Sequence, residues 1–312
     1  MRNLIKSVLF FSGLYVLIVF FGYVLNTKEE YVFDKTSVRI KKDEIAKEKD
    51  NSLDVIFLGD SICYSSFSPQ IIWDEQGITS YVGASSAQRL CDSYAILKSA
   101  CETQNPKVVV LETTCLYRSI NIEENNDDYV LNVFYRKLPL FEHHSNWKDA
   151  ADKVINSKMI LEKKSTRGFV SRTNVNEYTG GEYMIPSEKR DMFSNIVEKY
   201  LNSINQICND NNIKLLLVSS PSPVNWSWER YNAVYDWAIK NNVTYLDLNS
   251  NKDIAIDWKN DTKDGGDHLN LYGATKVSKY LANYLINSYD IEDKRNDSAY
   301  ADWLAYSNQT DK

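Results

Sequence analysis

Val55-Ile-Phe-Leu-Gly-Asp-Ser61 is a short apolar run that stops abruptly at a glycine, an acid and a hydroxyl. An unbroken apolar run of this length, bounded by a turn signal, reads as a strand buried on both faces. It predicts a central strand with Ser61 at its carboxyl end, where open α/β sheets place their ligands. Taken alone, the serine reads equally well as a helix N-cap. A second stretch shifts the balance: Asp264-Gly-Gly-Asp-His268-Leu-Asn270 lies just before the last strongly apolar helix of the chain. A serine after the first strand and a histidine before the last helix supply a nucleophile and a base from loops over one sheet edge.

Outward from that strand, the pattern alternates. Strands are expected at 53–58, 79–82, 107–112, 213–219 and 243–248, and helices at 69–76, 87–103, 228–240 and 271–287. In the last of these, Ala274, Val277, Leu281 and Leu285 recur on one face. Strands alternating with helices imply βαβ units and a parallel sheet. The expected fold class is α/β, a flavodoxin-like three-layer sandwich. An insertion at about 116–210 interrupts it, with a helix at 147–161, a loop at 166–186 and an amphipathic stretch at 188–212. Long loops in compact domains often serve as lids or binding walls.

The chain has 312 residues and a formal charge of −6, which argues against nucleic acid as a partner. Val8 to Leu25 is apolar apart from Ser12, Gly13 and Gly22, preceded by Arg2 and Lys6 and followed by Glu29 and Glu30. Eighteen helical residues span about 27 Å, close to the hydrocarbon thickness. The charge bias places the amino end in the cytoplasm and the rest outside. No small-x-small cleavage site follows, so an uncleaved single-pass anchor is expected. The domain expectation is therefore an anchor at 1–27, a stalk at 28–51, the α/β domain at 52–290 and a polar tail at 291–312. The five cysteines show no CxxC spacing and no zinc-type interval to a histidine, and read as free. His143 and His144 read as a solvated loop, with no third ligand nearby.

A serine hydroxyl needs a base, and the base needs a group to fix its tautomer. The sequence offers Asp264 four residues before His268 and Asp267 one residue before it. Adjacent side chains of an extended segment point to opposite faces, which turns Asp267 away, while Gly265 and Gly266 let Asp264 fold back, so Asp264 is preferred and Asp267 is the alternative. Asn270 fits as N-cap of the last helix.

In these blocks the chain resembles the SGNH (GDSL-type) hydrolases over about 52–285. Gly59-Asp60-Ser61 matches the first block, and Asp264-Gly-Gly-Asp-His268-Leu-Asn-Leu-Tyr-Gly-Ala274 resembles the last. The resemblance implies Ser61 as nucleophile, His268 as base and an oxyanion hole from the N–H groups of Ser61 and Gly83. The usual third-block Asn is absent, since Leu111-Glu-Thr-Thr-Cys115 stands there. Thr113 or Thr114 is the candidate substitute, with backbone N–H groups alone as the other option. The anchored form is similar to bacterial envelope members, distantly DltD-like. This implies a membrane-anchored, extracytoplasmic serine esterase or acyltransferase on an acylated envelope glycan or teichoic-acid-type polymer, with no metal or organic cofactor. The alternative from another class is a non-catalytic envelope scaffold or carrier-binding protein on the same fold.

Overall fold

The structure is a computed structural model and describes residues 6, 7, 10, 12–17, 38–118 and 166–303. The chain divides into two units, Met1–Phe33 with Asn121–Lys164, and Asp34–Ile120 with Ser165–Lys312. The second holds every element below. Most of the expected anchor, the helix expected at 147–161 and His143-His144 lie outside the described residues. Among the described residues, no helix is long and apolar enough to cross a membrane.

Strand β1 (Val55–Gly59) is buried along its whole length. It pairs in parallel with β2 (Ser80–Ala84) on one side and β3 (Val108–Glu112) on the other. Strands β4 (Lys214–Ser219) and β5 (Thr244–Asp247) extend the sheet in parallel, giving the order β2-β1-β3-β4-β5. This is the flavodoxin-like order, in which the winding direction reverses between β1 and β3. The carboxyl ends of those two strands therefore border the crevice, and Ser61 lies two residues past the end of β1.

Side-chain alternation sorts the strands between two cores. Val55 and Phe57 join Val108, Val110, Leu216 and Val218 on one face, while Ile56 and Leu58 join Val109, Leu111, Leu215 and Leu217 on the other. The first face is covered by α2 (Ser61–Ser66), α3 (Pro69–Gln76) and α7 (Leu271–Ser288). The other is covered by α1 (Val38–Lys47), α4 (Leu90–Ala100), α5 (Asn195–Asp210) and α6 (Trp228–Lys240). The result is three layers, helix on sheet on helix.

Three expected boundaries change. The stalk gives way to structure, because α1 puts Ile45, fully buried, into the core beside α4 and β2. Its six charged residues hide a helix with only three large apolar side chains. The polar tail also packs: Trp303 is buried, its ring 5.2 Å from Trp73 and 3.5 Å from the Arg167 guanidinium. The insertion is shorter than 116–210, since α5 buries Val197, Leu201, Ile204 and Cys208 as an ordinary crossover helix before β4. Residues 166–194 carry no helix or strand, as expected for the loop part. They run along open backbone: the Arg167 carbonyl accepts the Val82 N–H at 2.9 Å, covering the outer edge of β2.

Candidate active site

Ser61 is placed by a tight strand-to-helix turn. Gly59 has φ +155°, and a Cβ there would lie 2.8 Å from Cys63 Cβ and 2.9 Å from Glu112 Cβ. Only glycine lets β1 pass this close to α2 and β3. Asp60 then caps α2, its Oδ1 accepting the Ile62 N–H at 2.9 Å. Ser61 is the first residue of that helix, the position whose backbone N–H has no partner within the helix.

His268 is placed by a loop folded back on itself. Gly265 and Gly266 have φ of +72° and +91°, left-handed conformations that turn the chain between Asp264 and His268. Asp264 Oδ1 accepts the His268 backbone N–H at 2.7 Å. The Thr262 hydroxyl accepts the Gly266 N–H at 2.8 Å and donates to the His268 carbonyl at 3.0 Å. Asn270 caps α7 by accepting the Tyr272 and Gly273 N–H groups at 3.0 and 3.2 Å. From the end of β4, the Ser222 hydroxyl donates to the Asp267 carbonyl at 2.7 Å.

These two turns bring the expected residues together. His268 Nε2 lies 2.8 Å from Ser61 Oγ, and His268 Nδ1 lies 2.8 Å from Asp264 Oδ2. A carboxylate only accepts, so Nδ1 carries the proton, and the neutral ring offers the Nε2 lone pair to the serine. The arrangement can remove the Oγ proton and stabilise the imidazolium that results. Asp267 is nearer than strict alternation implied, with Oδ1 3.4 Å from Nδ1. The glycine turn breaks the extended geometry on which that expectation rested. Asp267 Oδ1 is also held by the Asn225 side-chain amide at 2.6 Å, which leaves Asp264 as the closer partner of the ring. Asp264, Asp267 and His268 each offer a ligand atom within 4.8 Å of the others. In this arrangement Nδ1 and Asp264 are already engaged with each other.

The expected oxyanion donors fare differently. The Ser61 N–H stands at the site. Gly83 does not, because it lies beside Leu58, three residues before Ser61 in the register. Val82 turns its N–H outward to Arg167, so Gly83 turns its own inward to the β1 ladder. Ala84, the partner of Gly59, is the last paired residue of β2, so Gly83 sits one step back inside the sheet. Thr113 is fully buried, 2.6 Å from the Ser219 hydroxyl, and Thr114 donates to Glu112 at 2.6 Å. Both threonine hydroxyls serve internal contacts.

Sequence reasoning missed the charged group beneath the serine. Asp60 is fully buried, and its Oδ2 accepts Arg118 Nε at 2.6 Å. Glu112, also fully buried, accepts the Thr114 N–H at 3.0 Å and the Ser220 N–H at 3.3 Å. Burial, and then the negative charge of Asp60, push Glu112 from its ordinary 4.5 up to about 8. Acids at 60 and 112 are visible in the sequence, but nothing at the spacing of 118 announces their partner.

No family model matches the sequence, and no curated protein matches it. Solved structures do. A GDSL-like lipase from Bacteroides thetaiotaomicron is 12% identical, over 80% of this chain and 97% of that one, with a TM-score of 0.41. An acetyl xylan esterase is 16% identical, over 74% and 99%, with a TM-score of 0.40. A family 3 carbohydrate esterase from Clostridium thermocellum is 14% identical, over 76% and 96%, with a TM-score of 0.38.

Proposed function

We propose that this chain is a serine ester hydrolase of the SGNH type, acting on acyl groups of a cell-envelope polymer from the outer face of the membrane. The observation that carries the reading is the hydrogen-bonded chain Ser61–His268–Asp264, with both links at 2.8 Å. Ser61 attacks the ester carbonyl while His268 takes its proton. His268 returns that proton to the departing alcohol. Water, or a second hydroxyl where acyl transfer is the outcome, then releases the acyl group from Ser61.

A glycan as the acylated partner is favoured by the aromatic group beside the histidine loop. Tyr178, Tyr183 and Trp258 meet edge to face, with centroids 5.9 to 6.5 Å apart, and all three stay partly exposed. Tyr178 lies against Gly266, where an added Cβ would stand 2.9 Å from its ring. Such faces accept the apolar side of a sugar ring. The outward location rests on the apolar segment 8–25 and the cations before it.

One experiment addresses both parts. Intact cells are treated with a membrane-impermeant fluorophosphonate, and the adduct is mapped in the membrane fraction. The expected result is a single adduct on Ser61, absent in Ser61→Ala and His268→Ala. Labelling that survives Ser61→Ala removes the nucleophile assignment. Labelling that requires broken cells removes the outward orientation, and recovery of the adduct in the medium removes the anchor.

A further inference from the structure

Asp60, Asp264 and Asp267 surround the Ser61–His268 pair. The attacked carbonyl oxygen must become an anion among them, and such an anion needs preorganised donors. The Ser61 N–H is one. The Gly83 N–H is spent in the sheet, and the hydroxyls of Thr113 and Thr114 are spent on Ser219 and Glu112.

Arg118 holds the side chain of the residue just before Ser61. It ends the 3₁₀ turn Thr113–Tyr117 that follows β3, across the winding reversal from Ser61. Its Nε is fixed on Asp60 Oδ2 at 2.6 Å, and Asp60 is bonded to Ser61 through the chain. Its side chain is about one-third exposed (36%), whereas Asp60 is sealed, so the free end of the fork faces outward. Burial works against its charge, but Asp60, Asp267 and Glu112 together raise its pKa above the ordinary value. The cation is therefore seated directly on the acid next to the nucleophile. A guanidinium carries five N–H groups, and the Asp60 contact uses one. Among the described residues, the two terminal nitrogens are assigned no acceptor.

We propose that Arg118 is a catalytic residue whose terminal guanidinium N–H groups, together with the Ser61 N–H, receive the oxyanion. The proposal rests on the serine-esterase reading. In the step concerned, a bond forms between Ser61 Oγ and the carbonyl carbon, and the Oγ proton passes to His268 Nε2. The carbonyl π pair moves onto oxygen, facing Arg118. On collapse that pair re-forms the carbonyl, the alcohol leaves with the proton from His268, and Arg118 neither gains nor loses one. Asp60 is a positioning residue, which holds the fork by Nε.

The test is steady-state kinetics of the full chain on a neutral activated acetate ester, with phenylboronic acid as a tetrahedral mimic. Arg118→Met is expected to lower kcat by about 10²- to 10³-fold with little change in KM. Boronate affinity should weaken in parallel. A purely structural role, neutralising buried Asp60, is separated by Asp60→Asn/Arg118→Met, in which no buried charge is left unpaired. That double variant also carries the test if Arg118→Met alone does not fold. It is expected to remain as slow as Arg118→Met. Recovery of kcat in the double variant, or an unimpaired Arg118→Met, overturns the proposal while the active wild type keeps the esterase reading. A wild type that neither hydrolyses the ester nor labels at Ser61 overturns both.

Discussion

Asp264 lies four residues before His268 and Asp267 one residue before it, and the structure gives them unequal work. Asp264 holds both the ring, through Nδ1 at 2.8 Å, and the backbone N–H of His268 at 2.7 Å. Asp267 is 3.4 Å from Nδ1 and is engaged by Asn225. Under the proposed mechanism, Asp264→Asn keeps the shape and loses the charge that favours imidazolium. Its kcat should fall by about 10²- to 10⁴-fold with KM little changed. Asp267→Asn should lose far less, because its amide can still meet Asn225. Measuring kcat for both on one activated ester decides between them, and a large loss at Asp267 with none at Asp264 would exchange their roles. The preference for Asp264 was legible in the sequence, because two consecutive glycines allow the backbone to fold an acid back onto the histidine. Arg118 was not legible. Its contact with Asp60 arises because β1 and β3 pair side by side at the sheet reversal, a long-range neighbourhood that no local spacing encodes.

At the scale of elements, Glu112 ties the ends of β3 and β4 together. It accepts from Thr114 after its own strand and from Ser220 after the next. Its folded-state value of about 8, against an ordinary 4.5, means that the folded protein holds a proton there that the unfolded chain releases. Between those two values the folded state binds more protons, so this group's contribution is full below about 4.5 and is lost as pH rises through about 8. Glu112→Gln keeps the acceptor oxygen and removes the titration. Thermal melts from pH 5 to 9 should show wild-type stability declining more steeply with pH than that of the variant. Parallel slopes would mean that Glu112 is ionised throughout. The elements that carry this arrangement were readable: β1, β3 and β4 are apolar runs because both faces are buried. The amphipathic stretch at 188–212 yields a helix only from Asn195, because the residues before it extend across the surface of α6, where Asp191 N–H meets the Glu229 carbonyl at 3.0 Å. β5 is shorter and more exposed than the inner strands, as suits an edge.

The whole second unit is closed by its two ends, and neither end reads as core in the sequence. Helix α1 adds Ile45 beneath β2, and Tyr81 donates to Glu44 at 2.6 Å. The segment after α7 returns across the body: Lys294 pairs with Asp54 at the start of β1, and Arg295 donates to the Asp74 carbonyl at 2.9 Å. Trp303 then closes the fold between Trp73 of α3 and Arg167 of the long loop. A single tryptophan in a polar run carries no periodicity, which is why the segment reads only as a polar tail in the sequence. Physically it joins three segments far apart in sequence, and its removal leaves both a cavity and a cation without its ring. Trp→Ala at a buried site costs about 3–5 kcal/mol, and for a domain of this size that corresponds to a melting shift of about 10 °C. Trp303→Ala should therefore melt about 10 °C below wild type, while Trp303→Phe, which keeps an aromatic face for Arg167, should lose less than half of that. Because the tryptophan belongs to the far layer and not to the Ser61–His268 pair, kcat measured well below the melting range should be unchanged in both. Differential scanning calorimetry with parallel ester kinetics checks this, and a Trp303→Ala protein with wild-type melting would mean that the segment after residue 290 is not a structural closure of the fold.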